Sequence, residues 1–124
     1  MCIRDSTTAD LDWTNKRSRT TREMTDKTFR PAITGKVENM EQYDTVYVGF
    51  PIWWYVAPTI INTFLESYDL AGKTVVPFAT SGGSGMGRTN TELEQSCKGA
   101  RLKEGKRFNI NVKEAELKTW ADQF

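Results

Sequence analysis

Apolar side chains are spread unevenly along this chain. Residues 7–42 carry only isolated ones, among them Leu11, Trp13, Phe29 and Ile33, whereas from Tyr43 onward they fall into regular groups. The first stretch shows neither period-2 alternation nor a helical stripe, and so predicts a long connection lying over a surface. Arg30-Pro31 favours extended backbone, and Gly35-Lys36 adds a break. Lys16, Arg17, Arg19 and Arg22 are interleaved with Asp10, Asp12, Glu23 and Asp26. That mixture reads as a solvated loop rather than an anion-binding patch.

The later groups predict alternating strands and helices. Thr45 to Phe50 is a β-branched and aromatic run between Asp44 and Pro51, the pattern of a buried strand. Pro58 suits a first helical position, and Ile60, Ile61, Phe64, Leu65 and Tyr68 recur at helical spacing. Lys73 to Ala79 is a second buried run, which Pro77 moves toward an end or edge position. A helix follows over about Asn90 to Cys97, and Arg101 to Ile110 has a looser strand pattern broken by Gly105. Glu114 to Phe124 places Leu117, Trp120, Ala121 and Phe124 on one helical face, with Asn111 as its expected cap. Strand and helix alternating three times is the signature of an α/β fold with a parallel sheet and right-handed crossovers.

Size confines these elements to one hydrophobic core, since the chain has 124 residues. Its 38% hydrophobic and 27% charged residues match a soluble globular protein, and no apolar run reaches membrane-spanning length. A net charge of +1 gives no field to attract nucleic acid or anionic lipid. The absence of histidine removes the usual general base, the commonest metal ligand and any Ser-His or Cys-His nucleophile. Cys2 and Cys97 lack a metal-ligand or C-x-x-C spacing and read as unpaired thiols of a reducing compartment, implying a cytoplasmic location. Met1 to Ser6 resembles a translated sequencing-adapter scar, leaving residues 7–124 as the domain.

Ligands of open α/β sheets bind beyond the carboxyl ends of the strands, which singles out two loops. The first, Pro51-Ile52-Trp53-Trp54-Tyr55-Val56-Ala57-Pro58, sets three large aromatics where a plain connection would carry small polar residues. Such flat surface suits stacking on a planar ring, although core or interface anchoring is an equal alternative from the loop alone. The second, Thr80-Ser81-Gly82-Gly83-Ser84-Gly85-Met86-Gly87, offers backbone N–H groups and free dihedral angles ahead of a helix. It is neither a P-loop nor a G-x-G-x-x-G fingerprint, and Met86 breaks the G-x-S-x-G pattern around Ser84. Alone, it also fits a simple turn.

Taken together, Tyr43 to Trp54, Ala57-Pro58 with Phe64-Leu65-Glu66, and Phe78 to Gly85 resemble the third- and fourth-strand loops of bacterial flavodoxin-like proteins. That resemblance implies a three-layer α/β/α fold with a parallel sheet of strand order 2-1-3-4-5, in which strand 1, helix 1 and strand 2 are missing here. It implies FMN as cofactor. Pro51, Ile52, Trp53, Trp54 and Tyr55 would line one side of the isoalloxazine, with Trp53 stacking, and Ser81, Gly82, Gly83 and Ser84 would embrace its pyrimidine end. The flavin would supply the chemistry, so no catalytic side chain is named.

By the same resemblance the phosphate loop is absent, FMN binding by the chain alone is weak, and Thr45 to Phe50 forms an uncovered edge. The implied role is electron transfer or flavin-dependent reduction, with a redox partner protein, a nicotinamide cofactor or a quinone as partner. The alternative is a flavin-free interaction module anchored by Trp53, Trp54 and Tyr55.

Overall fold

A computed structural model describes residues 6–124. Cys2 and most of the expected N-terminal scar lie outside the described residues. At the centre is a parallel sheet of β1 (Thr45–Pro51), β2 (Thr74–Thr80), β3 (Arg101–Leu102) and β4 (Lys106–Phe108). β1 pairs with β2 from Thr45↔Thr74 to Pro51↔Thr80, and β3 and β4 both pair with the other side of β2. The four strands thus occupy three positions, as the split at Gly105 predicted. All pairs are parallel, which agrees with the α/β assignment and requires crossovers rather than hairpins.

Helices cover both faces. α2 (Thr59–Glu66) and α3 (Thr89–Glu94) lie on one, where Ile60, Phe64, Leu65 and Leu93 pack with Val48, Phe50, Val75 and Ala79. α4 (Glu114–Ala121) lies on the other, where Trp120 packs with Val76 and Phe108, flanked by Phe78 and Leu117. The opposed clusters follow from the strand's alternation, since Val75 and Val76 point to different faces. Burial of side chains such as Leu65 and Leu93 contributes roughly 1.5–3 kcal/mol each. α2 is one residue shorter at its start than expected, because Pro58 is its N-cap and Thr59 its first helical residue.

Pro77 is not at an edge. It lies in the central strand, between β1 and the β3–β4 position. The Lys103 N–H donates to the Val75 carbonyl at 2.8 Å, so odd-numbered residues of β2 face that side. Pro77 therefore turns its missing N–H toward residues 103–105, where the neighbouring strand is itself interrupted. A proline in a central strand is tolerated at such a break because no ladder bond is forfeited.

By the same parity, the Thr74 N–H donates to Asp44 and the Ile52 N–H to Thr80, which leaves the odd residues of β1 facing outward. No strand covers that outer edge among the described residues. A cleft of about 300 Å³ runs beside it, lined by Val37, Met40, Tyr47, Val48, Ile61 and Phe64.

The N-terminal arm is more ordered than its composition predicts. It contains α1 (Arg19–Thr25), whose first turn is capped by Ser18 Oγ accepting from the Thr21 N–H. Arg19, expected in a solvated loop, is half-buried and pairs at 2.9 Å with Glu23, whose side chain is only 4% exposed. Farther on, Arg30 donates from Nε and Nη2 to the two carboxylate oxygens of Glu66, at 2.8 and 3.0 Å. Ser96 Oγ donates to the same carboxylate, and Asn62 donates to Ser96. Arg30, with help from Ser96, holds the Glu66 carboxyl below its usual range. This network fastens the arm to α2 and to the chain following α3.

One expected cap is absent. α4 starts after Lys113, with no side-chain cap bond, and Asn111 lies outside the helix. The reason is local: the Val112 N–H bonds back to the Asn109 carbonyl, making a turn that places Asn111 before the N-cap position. Among the described residues, no helix is long and apolar enough to cross a membrane.

Candidate functional site

The two loops singled out by sequence meet at the carboxyl end of the sheet. The Ile52 N–H donates to the Thr80 carbonyl at 2.9 Å, and the Arg88 N–H to the Tyr55 carbonyl at 3.3 Å. Parallel pairing of β1 with β2 forces this, since both strands end on the same edge. The approach is closest at Gly87, whose φ of +53° and contact with Tyr55 leave no room for a side chain.

Between them the first loop makes a tight reversal. Trp53 and Val56 exchange backbone hydrogen bonds at 2.9 and 3.1 Å, leaving Trp54 and Tyr55 as the two turn residues. Both have left-handed backbones, with φ of 45° and 67°. Two such residues fit the twist of a hairpin turn, a place ordinarily taken by Asn-Gly. For non-glycine residues this conformation costs about 1–2 kcal/mol each.

The reversal sends neighbouring tryptophans to different places. Pro51, Ile52 and half-buried Trp53 line a cavity of about 1010 Å³ together with Thr80, Ser81 and Gly82. Trp54 instead lines a second cavity of about 740 Å³, against α1, α2 and α3. Tyr55 projects into solvent, 69% exposed. Five of the nine residues proposed from sequence, Pro51, Ile52, Trp53, Ser81 and Gly82, are thus gathered around one cavity, with Trp54 turned away from it. Gly83 and Ser84 lie at the rim of the glycine loop, where the Ser81 hydroxyl accepts from the Gly83 N–H at 3.1 Å and donates to the Ser84 carbonyl.

The larger cavity also has walls that the sequence reading passed over. Arg107 and Phe108 end the third strand position, Asn109, Asn111 and Val112 follow it, and Glu116 comes from α4. Their signal was available, because they too lie at a carboxyl strand end. A planar, partly polar ring fits this donor set. Trp53, Ile52 and Phe108 offer apolar surface, and the hydroxyls and amides of Thr80, Ser81, Asn109 and Asn111 offer hydrogen bonds. β-Carbons built on Gly82, Gly83 and Gly85 would meet nothing within 4 Å, so the glycine loop leaves space rather than filling it.

Elsewhere, reactive groups are scarce. Among the described residues no three His, Cys, Asp or Glu side chains are placed to hold a metal ion. Cys97 is buried, and burial pushes its thiol up to about 11, which keeps it protonated and inert near neutrality.

Comparison with known proteins agrees with this fold. The flavodoxin family matches residues 3–124. The chain belongs to the flavodoxin family.

Two Bacteroides proteins, provisionally named flavoproteins, have similar crystal structures. The one from Bacteroides eggerthii DSM 20697 is 50% identical with a TM-score of 0.86, covering 97% of this chain and 75% of its own. The one from Bacteroides uniformis ATCC 8492 is 46% identical with a TM-score of 0.87, covering 96% and 76%. A flavoprotein from Lactobacillus acidophilus NCFM, in complex with FMN, is similar in fold alone. It is 20% identical with a TM-score of 0.58, covering 82% of this chain and 65% of its own. No curated protein matches the chain. Within the flavodoxin fold, the cavity bounded by Trp53 and Ser81 is thus the candidate cofactor site.

Proposed function

We propose that this flavodoxin-family chain binds FMN in the 1010 Å³ cavity and serves in electron transfer or flavin-dependent reduction. The observation that carries the reading is the joining of the two loops by the Ile52–Thr80 hydrogen bond, which sets Trp53 and Ser81 on one cavity. In this reading Trp53 stacks on the isoalloxazine, while Ile52 and Pro51 exclude water from it. Ser81 and Gly82 bracket the pyrimidine end. The flavin, when bound, supplies the centre that accepts and donates electrons; the protein tunes it by stacking, hydrogen bonds and charge.

Exposed Tyr55 and Trp54, immediately beside the cavity, provide a contact surface for a redox partner protein, with a nicotinamide or a quinone as the small-molecule alternatives. Titration of the chain with FMN and with riboflavin, read by quenching of flavin fluorescence, tests the reading. Saturable binding that Trp53→Ala weakens supports it. A chain that quenches neither ligand would refute it.

A further inference from the structure

The cavity carries one charge with no counter-charge. Its acid, Glu116, is 3.5 Å from Lys106, which also lies 4.9 Å from the centre of the Phe108 ring. Lys106 and Phe108 therefore both turn toward α4. Arg107, between them on β4, faces the opposite side of the sheet, in line with Ala79 across the β2–β4 pairing. It is half-buried, lines the cavity beside Thr80 and Ser81, and its guanidinium has no hydrogen-bond or ion-pair partner among the described residues. Partly removed from water, such a charge acts strongly on whatever occupies the cavity.

Resting on the flavin reading above, we infer that Arg107 selects the charge state of the bound ring, favouring reduced, anionic flavin over the neutral oxidised form. Ser81 and Gly82 bracket the pyrimidine end, and Arg107 adjoins them one strand over. Reduction of the neutral ring by two electrons with uptake of one proton leaves a single negative charge, which is delocalised over that end. A guanidinium there gains an interaction in the reduced state that the oxidised ring does not offer. Arg107 is thus a positioning charge that raises the reduction potential.

The test compares the full chain with Arg107→Gln and Arg107→Lys. Oxidised and dithionite-reduced riboflavin and FMN are titrated anaerobically by calorimetry, and thermal unfolding checks that each variant is folded. Arg107→Gln is expected to weaken reduced riboflavin about tenfold and to leave oxidised riboflavin within about twofold. That ratio corresponds to a potential about 30 mV lower for a two-electron couple. Arg107→Lys, which keeps the charge, should retain most of the preference. Equal losses for both ring forms would overturn the inference, as would a loss confined to FMN, which would assign Arg107 to the phosphate. If the unaltered chain binds neither flavin in either form, the cofactor reading itself falls and carries this inference with it.

Discussion

Gly87 approaches the Tyr55 carbonyl so closely that a β-carbon on it would lie 2.1 Å from the oxygen. The contact holds the glycine loop against the aromatic loop. Gly87→Ala should therefore lower stability by more than the roughly 1–2 kcal/mol of its left-handed backbone alone, because the Tyr55 contact must also be displaced. Urea denaturation measures this; an unchanged midpoint would mean that the loops are not clamped there.

Trp54 and Tyr55 occupy a turn better suited to other residues. Replacing them by Asn and Gly should stabilise the protein, by about 1–2 kcal/mol for each relieved residue. A raised melting temperature is the expected outcome. No gain, or a loss, would show that contacts of Trp54 with the smaller cavity outweigh the backbone cost.

The divergence of the two tryptophans separates their roles. Trp53→Ala should weaken FMN and riboflavin alike, by roughly two- to tenfold, since it removes stacking worth about 0.5–1.5 kcal/mol from the ring they share. Trp54→Ala should change either affinity by less than about twofold, having no place in that cavity. The reverse order, read by fluorescence titration, would move the cofactor site to the 740 Å³ cavity.

Cys97 gives the fold a sensitivity to alkali. Its folded thiol is pushed up to about 11 from an ordinary 9.0, so the folded state keeps a proton that the unfolded chain releases. The resulting stability is present below about pH 9 and is lost as pH rises toward 11, on the order of 2–3 kcal/mol in total. Cys97→Ala should flatten that part of the pH profile. If the two proteins lose stability in parallel between pH 9 and 11, the thiol is not its source.

Much of this architecture was legible because apolar spacing carries it. Thr45 to Phe50 and Thr74 to Ala79 declare themselves as strands, and Ile60 to Leu65 as a helix, by burying side chains at the periods those elements require. α1 has no such stripe, since its buried positions are Thr20 and Glu23, held by polar partners that only the folded chain supplies. Pro77 misled for a related reason: its place in the sheet depends on a gap in a strand 25 residues or more away in sequence. At the site, the two loops were readable from their composition. The opposite directions of Trp53 and Trp54 were not, because a left-handed pair of aromatics has no sequence signature. Arg107 carries no signal of its own in the sequence, and only the pairing of β4 with β2 sets it on the cavity.

Among the described residues no strand pairs with the outer side of β1, which leaves a row of backbone groups open to another copy of the molecule. Thr45, Tyr47 and Gly49 turn their amides and carbonyls outward, and Pro51, without an N–H, closes the row. A net charge of +1 supplies almost no mutual repulsion. An open edge of this kind is a template for another chain, and two molecules meeting along it would extend each other's sheet.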